Sequence, residues 1–348
     1  MSYSRFIGCV VSSAILGVVA PLLVNYVVDP YSVFGVKFFP AYGEMQERYL
    51  KVEHLKNHPD FNTFLIGGSR IGVVKTEDID REFLGAKTYN LSLSLASMPD
   101  IEKYVEWLIK NIPNLSHVIL QVDWLDDYVP RPSYALLTEV HPDISGRSRY
   151  AFLSDYLTHV NAEALRVKVD KNSGILNVKY DMSKGYWSRP LSDKKIEENC
   201  DEYVANDKRF GFTNNRPAKL NPDAIPNTLA SIARIKSLLD KKSVKLTLLL
   251  SPLSYRHLNA IDILEYETFV KKLVNITDFY NFMYYNKITK NDCNYYEREH
   301  YRPLVGEMVV RALAQPNKQS EISRYVSKET IASHLEFLEN NFLSERSR

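Results

Sequence analysis

The chain has 348 residues, of which 45% are hydrophobic and 25% are charged, which is an ordinary composition for a globular protein. Its formal net charge of +2 gives no sign of a nucleic-acid-binding surface. The length fits either two domains or one larger α/β domain that carries an insertion.

The N-terminal segment gives the clearest physical signal. No charged side chain occurs from Phe6 to Val28, and this run is longer than the roughly 20 apolar residues that cross a bilayer as a helix. A cleaved signal peptide is the alternative, but its best small-residue site, near Ala20, is followed by Pro21, which disfavours cleavage. We therefore expect residues 1–29 to be an uncleaved, single-pass transmembrane anchor, with the rest of the chain in the periplasm or otherwise outside the cytoplasm.

The remainder of the chain divides into sections by its patterning. Residues 30–60 begin with Pro, Gly and aromatic side chains, which predicts a connector. From 61 to 315, apolar strands alternate with amphipathic helices, which predicts an α/β domain with a parallel sheet. The pattern is interrupted between about 128 and 226, where we expect an insertion over the rim of the sheet. Residues 316–348 predict a C-terminal helical tail.

Polar side chains follow the predicted strands of this domain. Ser69 and Arg70 come directly after the first strand, in "FLIGGSR", and the stretch "NLSLSLAS" follows the second. The ligand crevice of a parallel sheet lies at the carboxyl ends of its strands. We therefore expect a site at this edge, and its candidate residues are Ser69, Arg70, Asn90, Ser92, Ser94 and Asp123.

Ser69 is a candidate nucleophile. A serine between a strand and a helix has turn N–H groups and a helix dipole beside it, and both can stabilise an oxyanion. It also needs a base, for which His300 is the candidate, and Glu297 is close enough in sequence to orient the imidazole. Ser69 alone could equally be a small residue in a tight turn, and His300 alone could be structural. The combination is more specific than either residue.

The three cysteines are Cys9, Cys200 and Cys293, and their spacing does not resemble that of a zinc site. Cys9 lies in the apolar N-terminal run. Cys200 and Cys293 could form a disulfide if they face an oxidising compartment, but two free buried thiols are the default interpretation.

Together these motifs resemble the SGNH/GDSL-type hydrolases. "FLIGGSR" stands at the position of that family's first block, "YNLSLSLAS" resembles the second and "EREHYRPLVG" resembles the last. The N-terminal anchor followed by "DPYSVFG" is similar to the membrane-anchored envelope branch, which includes DltD-like and alginate O-acetylation (AlgJ/AlgX-like) proteins. The resemblance covers roughly residues 60–126 and 227–315. It implies a flavodoxin-like, three-layer α/β fold, in which helices cover both faces of a parallel sheet.

The resemblance also implies a function and the roles of the site residues. Ser69 would be the nucleophile, His300 the base and Glu297 its orienting acid, in an acyl esterase or O-acyltransferase that acts on a cell-envelope or extracellular polysaccharide through a seryl ester. A membrane-bound O-acyltransferase is an implied partner. The resemblance implies no metal and no cofactor. The oxyanion and substrate contacts would come from Arg70, Asn90, Ser92, Ser94 and Asp123.

The sequence departs from the family pattern at three places. Glu297 stands where the family usually has Asp, the second-block glycine is absent, and "QVDWLDD" replaces the third-block Gly-x-Asn. Asp123 cannot donate a hydrogen bond as an amide would unless it is protonated, and the loss of one oxyanion donor costs roughly 10²- to 10³-fold in rate. The alternative function is therefore a non-catalytic envelope module that binds a glycan or a membrane acyltransferase.

Overall fold

The N-terminal apolar run forms a single helix, α1 (Tyr3–Val28), in a computed structural model that describes residues 3–39, 45–122, 135–169, 178–211, 224–315 and 320–347. The helix is long and apolar enough to cross a membrane: its most apolar 18-residue window has a mean hydropathy of 2.4 and is 0% buried. Near its end, Asn25 Nδ2 donates to the carbonyl oxygens of Leu157 at 2.8 Å and His159 at 3.2 Å. Its length and composition fit the predicted anchor.

The chain folds as two units, and the first consists of Met1–Val52 together with Pro130–Lys179. Helix α2 (Glu47–Asn57) begins in this unit. The later part of the unit contributes four short helices: α5 (Ala135–Thr138), α6 (Pro142–Ser145), α7 (Arg149–Thr158) and α8 (Ala162–Val169). A small, largely aromatic core holds it together, formed by Tyr31, Val33, Tyr49, Leu136, Leu137, Phe152 and Tyr156.

The second unit consists of Glu53–Val129 together with Tyr180–Arg348. Its strands belong to one six-stranded sheet and one two-stranded sheet. In chain order the strands are β1 (Thr63–Gly67), β2 (Thr88–Ser92), β3 (His117–Val122), β4 (Lys179–Asp181), β5 (Tyr186–Ser188), β6 (Lys245–Leu250), β7 (Phe279–Asn281) and β8 (Arg324–Val326).

The large sheet has the order β2-β1-β3-β6-β7-β8, and β4 pairs with β5 in the small one. All neighbours in the large sheet are parallel except β7 and β8, which are antiparallel. Every residue of β1, β2 and β3 is buried, as expected for parallel strands with helices on both faces. This confirms the predicted α/β class with a mostly parallel central sheet.

Helices flank the large sheet. The helices of this unit are α3 (Thr76–Glu82), α4 (Met98–Asn111), α9 (Pro190–Glu198), α10 (Cys200–Asn206), α11 (Ala224–Lys241), α12 (Tyr255–Leu258), α13 (Ile263–Leu273), α14 (Pro303–Leu313) and α15 (Ile331–Arg346). Helix α4 shows why they form: Ser97 Oγ caps its N-terminus by accepting from the Asp100 N–H. Its buried side chains recur at helical spacing, as in Ile101, Val105 and Leu108.

The structure divides the chain differently from the sequence-based boundaries. The interrupted stretch predicted at 128–226 contributes to both units, its first part to the first unit and its second part, with β5, α9 and α10, to the second. Residues predicted as a separate tail, 316–348, add a strand to the sheet, where Val326 pairs with Phe279. Three-residue strands such as β8 are too short to show a period in the sequence.

Candidate active site

The candidate nucleophile lies where the order of strands reverses. β1 has β2 on one side and β3 on the other, and the ligand crevice of a parallel sheet lies at such a position, outside the carboxyl ends of the strands. The chain leaves β1 through Gly68 and enters a short 3-10 helix, Ser69–Val73. Ser69 is therefore the first residue of the helix that follows the strand. It is partly exposed, whereas Arg70 is buried.

Two glycines precede Ser69 because a side chain of β3 fills the space beside them. The Gly68 N–H donates to Gln121 Oε1 at 2.9 Å. A Cβ placed on Gly67 would lie 2.5 Å from the same oxygen, so that residue 67 has no room for a side chain. Gln121, which the sequence analysis did not single out, therefore fixes the backbone immediately before the nucleophile.

Asn90 supports the nucleophile turn from the neighbouring strand. Its Nδ2 donates to the carbonyl oxygens of Ile71 at 2.8 Å and Val74 at 2.9 Å. Its Oδ1 accepts from the Ser92 N–H at 3.0 Å. Both amide hydrogens are used on the backbone, which leaves Asn90 no donor for an oxyanion. Where the sequence predicts a substrate contact, the structure has a support for the turn that holds Ser69.

The serine, the histidine and the glutamate singled out in the sequence form one hydrogen-bonded chain. Ser69 Oγ lies 2.8 Å from His300 Nε2. The other ring nitrogen, Nδ1, pairs with Glu297 Oε1, and Glu297 Oε2 accepts from the Glu299 N–H at 3.1 Å. When the Nδ1 hydrogen is donated to the carboxylate, Nε2 is free to accept the proton of the Ser69 hydroxyl. The three side chains have the geometry of a nucleophile, its base and the group that orients the base.

The loop that carries His300 is closed on itself. An antiparallel bridge joins Tyr295 to Tyr301, and the Tyr296 N–H donates to the carbonyl oxygen of His300 at 2.9 Å. Helix α14 begins directly afterwards, with Pro303 in its first turn. The short loop therefore sets the position of the imidazole from both sides.

Side chains from the predicted insertion fasten this loop. Cys200, at the start of α10, forms a disulfide with Cys293, with the two Cα atoms 5.7 Å apart. Arg302 Nε donates to Asp193 Oδ1 at 2.8 Å, and its Nη2 donates to Glu197 Oε1 at 2.8 Å. Both acids lie on α9. The sequence left the pairing of the two cysteines open, with free thiols as the default, and the structure has the disulfide.

Burial and nearby charge act in opposite directions on Glu297. Desolvation by burial would raise the pKa of its carboxyl, but the His300 ring, the Arg189 guanidinium and the Glu299 N–H outweigh it and hold the pKa at about 2. The carboxylate is therefore ionised at neutral pH and can accept the Nδ1 hydrogen. In the part of the chain that the structure describes, neither Glu297 nor His300 belongs to a group of three His, Cys, Asp or Glu side chains with metal-ligand spacing.

Two further side chains reach the site without a signal in the sequence. Trp187, on β5, places its ring edge-on to the His300 ring, with the ring centres 6.1 Å apart. Arg189 Nη1 lies 3.9 Å from Glu297 Oε1. Both are buried. They come from a stretch without regular periodicity, so the local pattern gave no reason to place them beside the histidine.

The other predicted substrate contacts have different surroundings. Ser92 is buried in β2, and Ser94 is partly exposed in the turn that follows. Its neighbour Leu95 has a left-handed backbone, with φ of 56°, a conformation that glycine adopts more readily. Asp123 lies outside the described residues, so its contact with substrate stays a prediction.

Comparison with known proteins gives no family for the chain. No protein-family model matches it, and no curated protein matches it at a significant level. The function must therefore be argued from the side chains that the fold brings together.

Proposed function

We propose that the chain is a membrane-anchored serine acyl esterase or O-acyltransferase that acts outside the cytoplasm through a seryl-ester intermediate. The observation that carries the proposal is the chain of contacts from Ser69 Oγ to His300 Nε2, at 2.8 Å, and from His300 Nδ1 to Glu297. Ser69 and His300 are 231 positions apart in the sequence. A hydroxyl, a base and an acid nevertheless meet at the carboxyl ends of the strands, where the ligand crevice of a parallel sheet lies.

The geometry supports an acyl transfer in two half-reactions. In the first, Ser69 Oγ attacks the carbonyl carbon of an ester while His300 Nε2 takes the hydroxyl proton. The imidazolium that forms is stabilised by the Glu297 carboxylate. His300 then gives the proton to the departing alkoxide, which leaves as an alcohol, and the acyl group remains on Ser69 as an ester.

In the second half-reaction, an oxygen nucleophile attacks the seryl ester. His300 removes the proton of that nucleophile and returns it to Ser69 Oγ as the acyl group leaves. Water as the nucleophile gives a free acid and hence an esterase. A sugar hydroxyl gives a new ester and hence an O-acyltransferase. The two activities share every residue of the triad and differ in the acceptor.

Two features of the fold support the finer assignment to an SGNH-type domain. The parallel strands β1, β2, β3, β6 and β7 lie in the spatial order 2-1-3-4-5, which is the flavodoxin-like order. The nucleophile follows the first strand of that set, and the base precedes the helix that follows its last strand. Both positions agree with the resemblance of "FLIGGSR" and "EREHYRPLVG" to the family's first and last blocks.

The proposed location rests on two independent features. Helix α1 has the length and hydropathy to anchor the chain in a membrane. The disulfide between Cys200 and Cys293 is typical of proteins exposed to an oxidising compartment, such as the periplasm. The polysaccharide substrate and a membrane-bound O-acyltransferase partner rest on the family resemblance of the motifs.

A serine-directed fluorophosphonate tests the proposal on the full-length chain in detergent micelles. The wild type is compared with Ser69→Ala and His300→Ala by intact mass and peptide mapping. We expect one adduct, on Ser69, that is lost in both variants, because the hydroxyl needs its base to react. Ser344→Ala and His159→Ala change exposed side chains far from the triad in sequence and serve as matched controls.

An absence of adduct on the folded wild type, or an adduct on another serine, would overturn the catalytic proposal. The chain would then fit the alternative, a module that binds a glycan or a membrane acyltransferase through the same crevice. Retention of isotopically labelled oligosaccharide by the unreactive protein would identify that function.

A further inference from the structure

We propose that Arg189 is a positioning residue of the candidate triad, whose guanidinium is the fixed countercharge of Glu297 before the reaction begins. This inference rests on the proposed function. Within the described part of the chain Arg189 forms no hydrogen bond or ion pair with Ser69 or His300, and it acts on the base through the glutamate.

The geometry distinguishes a countercharge from a competing hydrogen-bond donor. Arg189 Nη1 is 3.9 Å from Glu297 Oε1, the oxygen that pairs with His300 Nδ1. This distance is too long for a hydrogen bond but short enough for a strong electrostatic attraction at a buried site. The side chains of Arg189 and Glu297 are 7% and 8% exposed. The arginine therefore balances the charge of the carboxylate and leaves its oxygen to the histidine.

Two aromatic rings hold the guanidinium in this position. Its Cζ lies 4.9 Å from the centre of the Trp187 ring and 5.0 Å from that of the Tyr296 ring. Both contacts are within cation–π range. The Tyr296 hydroxyl is itself fixed, because it donates to Asp193 Oδ2 at 2.7 Å. The two rings therefore help to hold the cation in place beside Glu297.

Trp187 also links the arginine to the nucleophile turn. A Cβ on Gly72, in the 3-10 helix that starts at Ser69, would lie 2.0 Å from Trp187 Nε1. The glycine is needed because the indole packs directly on the backbone. One ring thus contacts the turn of the nucleophile, the imidazole of the base and the guanidinium.

Two of the three guanidinium nitrogens lack hydrogen-bond compensation among the described residues. Arg189 Nε and Nη1 are buried without a hydrogen-bond partner there. A buried charge is costly unless it is paired, and burial lowers the pKa of Arg189 while the charge of Glu297 raises it. An arginine retained under such conditions needs an anion beside it, and Glu297 is the anion within range.

The other charged groups nearby do not take the place of Arg189 as the countercharge of Glu297. Arg209 donates to Asp207 through Nε at 2.9 Å, so these two residues balance each other. The titratable groups that face Glu297 and Arg189 from the surrounding helices and loop are Tyr203, Asp207, Arg209, Tyr296 and His300. Since Arg209 has Asp207 as its acid, Arg189 is the guanidinium that remains for Glu297 among these described residues.

The positive charge of Arg189 determines the direction of its effect on the pH dependence of the reaction. The active form has Glu297 ionised and His300 neutral. A cation nearby opposes the uptake of a proton at this site. Removing the charge therefore moves the acid limb of the reaction to higher pH. A lysine at 189 keeps the charge and so keeps the acid limb, even though its ammonium differs from a guanidinium in shape and in its packing on aromatic rings.

The test is the pH dependence of the rate of fluorophosphonate labelling of Ser69 in the full-length chain. We expect the acid limb of Arg189→Gln to move up by about one pH unit, with Arg189→Lys close to the wild type. Arg302→Gln is the matched control, since it removes a buried arginine that clamps the same loop through α9. If the acid limb of Arg189→Gln stays at the wild-type pH, or if it moves by the same amount in Arg189→Lys, the inference is overturned. Either result leaves the proposed function intact.

A second measurement serves where Arg189→Gln does not fold. In Glu297→Gln the arginine becomes a buried cation without its anion, so the double variant Glu297→Gln/Arg189→Met should be more stable to urea than Glu297→Gln alone. A less stable double variant would overturn the pairing. A wild type that is not labelled at all overturns the proposed function and, with it, the role of Arg189 in positioning.

Discussion

The charge on Glu297 is the residue-scale feature on which the candidate site depends. The carboxylate lies in a buried position, where desolvation opposes ionisation, and it is ionised only because positive and N–H groups surround it. The glutamate occupies the place where the resembling family usually has aspartate. Its extra methylene is accommodated, since it still reaches His300 Nδ1. The structure therefore removes one of the three departures as an obstacle to catalysis.

The low pKa of Glu297 predicts a specific loss of stability in acid. The pKa is about 2 in the folded chain against an ordinary value of 4.5. The carboxylate therefore contributes stability that is fully present above about pH 4.5 and is lost as the pH falls towards 2, on the order of 3 kcal/mol in total. Urea unfolding at several pH values should show a steeper loss over this window in the wild type than in Glu297→Gln. Parallel pH profiles would contradict the prediction.

Asn90 predicts an effect on both stability and reactivity. Asn90→Ala removes the donor of the Ile71 and Val74 carbonyl groups, which we expect to cost about 1–3 kcal/mol in the free energy of unfolding. The rate of Ser69 labelling should fall as well, because the turn loses its support. Asn275→Ala, which removes an exposed amide bonded to the Lys271 carbonyl, is the matched control and should change stability by less than about 0.5 kcal/mol. Equal stabilities of the two variants would refute the assigned role.

At the scale of elements, the segment with β5, α9 and α10 completes the site. The predicted sheet and helices supply Ser69, Asn90 and Gln121, whereas this segment supplies Cys200 of the disulfide, the acids that bind Arg302, and Arg189 with one of its two rings, Trp187. The sequence predicts it as an insertion over the rim of the sheet. The structure shows that it fastens the loop of the histidine.

The disulfide should therefore contribute to stability and to reactivity. Cys200→Ser and Cys293→Ser each open a loop of 93 residues in sequence separation, which we expect to cost about 2–5 kcal/mol. Labelling of Ser69 should slow in both, and the double variant should lose no more than either single one. Cys9→Ser changes an exposed free thiol and should leave both measurements unchanged. If the double variant unfolded at the same temperature as the wild type, the Cys200–Cys293 disulfide would not be what holds the loop of His300.

At the scale of the whole molecule, helix α1 is the feature that bears on the proposed location of the site. Its apolar surface is exposed in the structure, and its most apolar 18-residue window is 0% buried. An apolar surface of this extent is stable in lipid and not in water. A membrane anchor of this kind would keep the site near membrane-bound acyl donors and acceptors.

A thiol-accessibility experiment tests the anchor and its orientation. In spheroplasts, a membrane-impermeant maleimide should label an introduced Ser347→Cys, at the exposed end of α15, from the outside. Cys9, within α1, should stay unlabelled until the membrane is dissolved in a denaturing detergent. Labelling of residue 347 only after the membrane is made permeable would place the body of the chain in the cytoplasm and contradict the proposed location.

The sequence by itself determined the features that depend on neighbouring residues. The uninterrupted apolar run gave α1, the buried strands and amphipathic helices gave the α/β class, and the residues at strand and helix ends gave Ser69 and His300 as candidates. The helix and the fold class agree with the structure because hydropathy and periodicity act over a few residues. The fold turned these two candidates, 231 residues apart, into partners 2.8 Å apart.

Only the tertiary structure decided which side chains surround that pair. In the structure both amide hydrogens of Asn90 bond to backbone carbonyl groups, and Gln121 accepts from the Gly68 N–H. Cys200 forms a disulfide with Cys293. The fold also brought Arg189 to Glu297 from a stretch without regular patterning. Such contacts depend on the order of strands and the path of the chain between them, and neither leaves a local period in the sequence.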